Sequence, residues 1–215
     1  MKLLNRSILF VLSSLLLFAC SAVSPVHAQQ YAQPGKFDFY LFTLSWSPQF
    51  CATDQRDSAE CHVPSGNFVV HGLWPEFKNG SWPSECSQER GPSNPSSESD
   101  VMPPSLVRHE WQKHGTCSGL GADQYFDTIR AVKKSIAIPP AFLHLTEARW
   151  IAPSEVKASF IAANSQLTAD DLRIGCANNN LVDLKICVAK DGKPTGCGTI
   201  RDCRAMKIKV LPVLP

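Results

Sequence analysis

The stretch HEWQKHGTC, His109–Cys117, sets two histidines, a glutamate and a lysine around Trp111, with Gly115 and Cys117 closing the run. Core segments rarely hold so many titratable groups, because each ionised side chain costs free energy to desolvate. At about 100° per residue on a helix, Glu110 and His114 are i, i+4 and share a face. His109 and Lys113 share the neighbouring stripe in the same way. Val107 and Trp111, again i, i+4, point elsewhere and are expected to anchor the helix in the core. The helix is read over Ser105–His114 and stopped by Gly115. One contiguous polar patch would then sit on a rigid element.

A zinc peptidase needs H-E-x-x-H, but His114 lies five residues after His109, about 140° round the helix. The two imidazoles cannot easily grip one tetrahedral ion, so no metal or other cofactor is expected. Proton transfer suits the cluster better, since histidine exchanges protons near neutral pH. Glu110 and the carbonyl end of the helix are expected to favour the His114 imidazolium. Lys113 offers a fixed positive charge to an anionic oxygen. A solvated polar face, with His and Lys near a helix C-terminus for the dipole alone, is the bland alternative. Val70-His71-Gly72-Leu73-Trp74-Pro75 adds a third imidazole at the end of an apolar strand read over Asn67–His71. A lone histidine there is usually a hydrogen-bonded core residue. Paired with the helix cluster, it completes a set for in-line cleavage of RNA, one imidazole taking the 2′-hydroxyl proton and another protonating the departing 5′-oxygen. Trp74 can stack a base, although tryptophans more often serve the core.

Outward from these motifs, the chain starts with Lys2 and Arg6, an apolar run Ile8–Cys20, and Val26-His27-Ala28 before Gln29. That pattern predicts a secretory signal peptide over 1–28, leaving 29–215 as one domain. Lipoprotein processing at Cys20 is the alternative, disfavoured by the bulk of Phe18. Removing Lys2 and Arg6 takes the formal charge from +2 to 0, so phosphate handling must rest on a local site. No later segment is apolar enough to span a membrane. Eight cysteines remain after Cys20 leaves, an even number with no C-x-x-C pair, which reads as a disulfide framework for an oxidising compartment. Phe37–Trp46 reads as a strand buried on both faces, Asp123–Ser135 and Ser154–Ala163 as helices, and Leu181–Val188 and Met206–Leu211 as strands. Asp191-Gly192 reads as a hairpin turn, and Gly80–Ser105 as a long loop. Asn79-Gly80-Ser81 is a glycosylation sequon, relevant only in a eukaryotic secretory pathway. The mixture lacks a βαβ rhythm and predicts an α+β fold.

HGLWP (71–75) and HEWQKHGTC (109–117) resemble the two active-site segments of the ribonuclease T2 family. FTLSWSPQFC (42–51) resembles that family's first strand, where Trp-x-Pro-x-x-Cys recurs. The resemblance implies an α+β domain with a central antiparallel sheet flanked by helices, and metal-free cleavage of single-stranded RNA through a 2′,3′-cyclic phosphate to 3′-phosphate ends. By the same resemblance His114 is similar to the base at the 2′-hydroxyl and His71 to the acid at the 5′-oxygen. His109 resembles the residue that holds the phosphate, and Glu110 and Lys113 those that stabilise the pentacoordinate state. Trp74 and Glu76 stand where family members often contact the first base. Ser45 replaces a glutamine that plant members often carry, so no second-base preference follows. The family pattern implies Cys51–Cys61, Cys86–Cys117, Cys176–Cys203 and Cys187–Cys197. The expectation is a secreted or periplasmic, monomeric endoribonuclease with little base specificity that spares DNA. An RNA- or anion-binding protein on the same fold, and a zinc hydrolase, are its rivals.

Overall fold

The computed structural model describes residues 32–53, 61 and 67–213. The expected signal peptide, its cleavage site and Cys20 lie outside the described residues. Among the described residues six strands form one sheet: β1 (Phe39–Trp46), β2 (Phe68–Glu76), β3 (Arg149–Ile151), β4 (Leu172–Ala177), β5 (Asn180–Val188) and β6 (Ile208–Val210). Their order is β2-β1-β5-β6-β3, with β4 also pairing β5. Pairing is antiparallel throughout except for a single parallel pair between β5 and β6, Asn180 with Lys209.

The central position of β1 explains its sequence. All eight of its residues are buried, because side chains alternate between two covered faces. One face carries Tyr40, Phe42, Leu44 and Trp46 into the main core, with Leu172, Ile174, Leu184 and Ile186 of the neighbouring strands. Helices α2 (Pro104–Lys113), α3 (Ala122–Ser135) and α5 (Pro153–Ala163) close that core with Val107 and Trp111, Tyr125, Phe126 and Ile129, and Val156 and Phe160. The opposite face carries Phe39 and Leu41 against the Cys187–Cys197 disulfide. The other bridges are Cys51–Cys61, Cys86–Cys117 and Cys176–Cys203, as the family pattern implies.

Several elements depart from the sequence expectation. Gly72 does not end its strand: β2 runs on through Pro75 to Glu76, with an irregularity where β1 passes from Thr43 to Leu44. Pro75 is tolerated because β2 lies at the edge of the sheet, where a missing N–H breaks no ladder. Leu172–Ile174, too short to assign from the sequence, is the start of β4. The short helices α1 (Ser47–Ala52) and α4 (Pro140–Leu143) and the three-residue β3 carry too few residues for a periodic signal. The long loop is largely irregular, as expected, with one 3-10 turn at Pro95–Glu98.

Candidate active site

Two elements meet to form the site. The C-terminal half of α2 crosses β2 at Gly72, and the absence of a side chain there is what permits the approach. A Cβ on Gly72 would lie 1.9 Å from Glu110 Oε2 and 2.5 Å from Trp74 Nε1. Behind β2, the Tyr125 hydroxyl of α3 donates to the Leu73 carbonyl at 3.0 Å, fixing the strand from its core side.

Trp74 is the hub. Its Nε1–H donates to Glu110 Oε2 at 2.8 Å. His114 stacks on its ring at 5.1 Å between centroids and 24° between planes, and His71 meets it edge-on at 5.3 Å. Both imidazoles thus contact one indole. Because His114 occupies a face of Trp74, a base contact by this residue has only the rest of the ring available.

Glu110 is fully buried. Burial pushes its carboxyl up to about 8, with the Trp74 hydrogen bond opposing. At neutral pH it is therefore protonated rather than the carboxylate that its place beside a histidine suggests. Its Oε1 lies 3.6 Å from His71 Nε2 and has no hydrogen-bond partner among the described residues. His114 corrects a second expectation. Glu110 and the helix end do not favour its imidazolium; burial, reinforced by His109, His71 and Lys113, lowers it to about 3. The carboxyl that was to hold the charge points at Trp74 and His71, and it is itself neutral. His71 is also lowered, first by burial, with Asp183 opposing and His109 and Lys185 adding to the fall. Its Nδ1 hydrogen-bonds Ser45 Oγ at 2.9 Å.

His109 stands exposed on α2, close enough for its charge to act on both other imidazoles. Lys113 is half-exposed and pairs with Glu85 at 3.1 Å, while Glu85 N–H donates to the Lys113 carbonyl. The Cys86–Cys117 disulfide sits directly behind that pair, with Cys86 N–H donating to Thr116 Oγ1. Glu76 is buried, its Oε2 lacks a partner among the described residues, and burial pushes its carboxyl up to about 7, with Lys185 opposing. Val107 and Trp111 are buried as the helix pattern predicts. All seven site residues named from the sequence therefore lie on β2, on the last turns of α2, or, for His114, at the C-cap of α2.

The sequence reading missed three groups. Asp183 and Lys185, an ion pair on β5, act on His71 from across the sheet; two charges alternating within an apolar strand were the available signal. Trp82, exposed just beyond the turn that closes on Phe77, follows β2 on the same loop as Glu85; an aromatic after an Asn-Gly turn is a weak cue. No group of His, Cys, Asp and Glu among the described residues could hold a metal ion. No described helix is long and apolar enough to cross a membrane.

The comparisons agree on one family. The model of the ribonuclease T2 family matches residues 37–203. A ribonuclease of Aeromonas hydrophila is 44% identical over 99 residues, a match spanning 45% of each chain, under half that relative's length. Ribonuclease 1 of Arabidopsis thaliana is 28% identical over 85% of this chain and 89% of its own. Among solved structures, an RNase-related protein from Calystegia sepium superposes with a TM-score of 0.64 at 19% identity, over 82% of this chain and 98% of that one. A single-substitution mutant of RNase MC1 in complex with 5′-UMP superposes with a TM-score of 0.60 at 21% identity, over 83% and 99%. With the family model covering most of its length, this chain belongs to the ribonuclease T2 family.

Proposed function

We propose that the protein is a secreted or periplasmic endoribonuclease that cleaves single-stranded RNA with little base specificity, through a 2′,3′-cyclic phosphate and without metal. The observation that carries the reading is the contact of both His71 and His114 with the one ring of Trp74, which holds two candidate proton carriers close together. His114, neutral because burial lowers it to about 3, takes the proton from the 2′-hydroxyl. The oxygen attacks phosphorus in line, and the electron pair of the breaking bond leaves with the 5′-oxygen, which His71 protonates. Water then opens the cyclic phosphate with the histidine roles reversed. Glu110, protonated and with Oε1 unpaired among the described residues, donates to a phosphoryl oxygen. His109 and Lys113 offset the charge that builds on the others. Glu76 and the free surface of Trp74 contact the first base, and exposed Trp82 offers a second stacking plane. The secretory leader expected over 1–28 and the four disulfides support an oxidising compartment.

Mature protein from Gln29, disulfides formed, is incubated with matched RNA and DNA oligonucleotides in excess EDTA, and product ends are read by mass spectrometry. RNA ending first in 2′,3′-cyclic and then in 3′-phosphate, with DNA intact, is expected. Loss of cleavage on chelation returns the metal reading. Folded protein that binds RNA without cutting it makes the patch a binding surface.

A further inference from the structure

The face of the sheet that holds His71 carries a polar row extending away from α2. Ser45 of β1 hydrogen-bonds His71 Nδ1 at 2.9 Å. On the far side of β1, Asp183 of β5 stands opposite Ser45 in register, and Lys185 opposite Thr43. Asp183 and Lys185 form an ion pair with each other. Gly175 of β4, paired with Asp183, makes room for that carboxylate, since a Cβ there would lie 2.1 Å from Asp183 Oδ1. Ser45 is itself buried. Charged side chains in a strand otherwise committed to the core carry a desolvation cost, and burial of apolar surface does not account for them.

We propose that Ser45 is the positioning residue of His71, and that the Asp183–Lys185 pair beside it sets the charge that this ring carries. The inference rests on the reading of His71 as the acid. An imidazolium holds protons on both nitrogens, so Ser45 Oγ must accept from Nδ1–H. When Nε2 gives its proton to the departing 5′-oxygen, the ring is left neutral with Nδ1–H still bound to Ser45. Nε2 then holds the lone pair that takes a proton from water in the hydrolytic step. One hydrogen bond thus keeps Nε2 as the transferring atom in both directions, since the bond made by one ring nitrogen fixes which tautomer a histidine adopts. Asp183 favours the protonated ring and Lys185 disfavours it. The remaining charged or titratable groups near the ring are Glu110, His109 and His114 of α2.

The test uses full mature protein, a fixed RNA oligonucleotide, kcat and KM across pH, and ring-nitrogen NMR of His71. Activity needs His71 protonated, so the alkaline limb of the profile reports its titration. S45A, which removes one oxygen, is expected to lower kcat about tenfold or more with little change in KM, and to move the alkaline limb to lower pH. S45T, which keeps the hydroxyl, restores both. D183N moves the limb to lower pH and K185Q moves it to higher pH, opposite shifts that a loss of stability cannot produce. Wild-type kcat and limb in S45A, or shifts of the same sign in D183N and K185Q, overturn the proposal. Full activity in H71A instead removes the acid assignment. The NMR tautomer in S45A then still decides whether Ser45 orients the ring.

Discussion

Gly72 shows how much of the site hangs on one missing methyl. Its neighbours Glu110 and Trp74 are hydrogen-bonded to each other, so a Cβ at Gly72 displaces both or breaks their bond. G72A is expected to cut kcat by about 10²-fold or more, as misplacement of catalytic groups by about 1 Å does; steady-state kinetics with a circular-dichroism melt separates this from unfolding. For the reaction proposed above, with His114 as base and His71 as acid, the titrations of the two imidazoles predict the pH profile. His114 must be neutral to act as a base, so activity falls as pH drops through about 3. His71 must be charged to act as an acid, and its value is lowered from 6.5, so activity falls again as pH rises through a point below 6.5. The kcat/KM profile is therefore a bell on the acid side of neutrality. Initial rates from about pH 2.5 to about pH 8 check it, a span that covers both limbs and the ordinary imidazole range.

Helix α2 trades stability for chemistry at Glu110. Its carboxyl is raised in the fold from 4.5 to about 8. The folded state therefore holds a proton that the unfolded chain releases. The stabilising contribution is complete below pH 4.5 and is lost as pH rises through about 8. E110Q, which can still accept from Trp74, is expected to raise Tm at pH 8 more than at pH 4.5. E110L, which leaves neither donor nor acceptor, should lower kcat by about 10²–10³-fold, the usual cost of one oxyanion donor, and E110Q, whose amide N–H can still donate, should lower it less; calorimetry at the two pH values and single-turnover kinetics check the pair. The Cys86–Cys117 link acts on the same helix from outside. Its 31-residue span corresponds to a loss of about 3–4 kcal/mol on removal, between the values for shorter and longer loops. C86S/C117S should also free the Glu85 partner of Lys113, so a raised KM is expected beside the lower urea midpoint.

Across the whole molecule, the mature chain expected from the sequence carries no net charge, so the RNA binding proposed above must rest on local cations. Arg90 and Arg108 line one groove of about 620 Å³ beside α2, together with Trp111 and Gln112. The loop wall of that groove is held by Trp111 Nε1–H donating to the Glu89 carbonyl and Gln112 to the Ser87 carbonyl. R90Q/R108Q is expected to lower kcat/KM on long RNA while leaving a dinucleotide substrate unaffected. It should also flatten the salt dependence by about one to two units of slope on single strands, measured between about 50 and 200 mM salt, the range over which phosphate contacts weaken most visibly.

What the sequence determined alone is local or pattern-borne. The apolar run of β1, the i, i+4 pairs of α2 and the even cysteine count follow from periodicity and compartment. HGLWP and HEWQKHGTC supply the residues of the candidate site, because the proton carriers of the proposed reaction have to be spelled out as histidines. What only the tertiary structure decided depends on distance and desolvation between elements remote in the chain. Gly72, legible as a strand end, is in fact where α2 touches β2. Glu110 is protonated and His114 unprotonated chiefly because the fold buries them, with His109 and Lys113 of the same helix adding to the fall at His114. Asp183 reaches His71 only through the pairing of β5 with β1, 138 residues apart at Ser45 and Asp183, and no local pattern encodes that register.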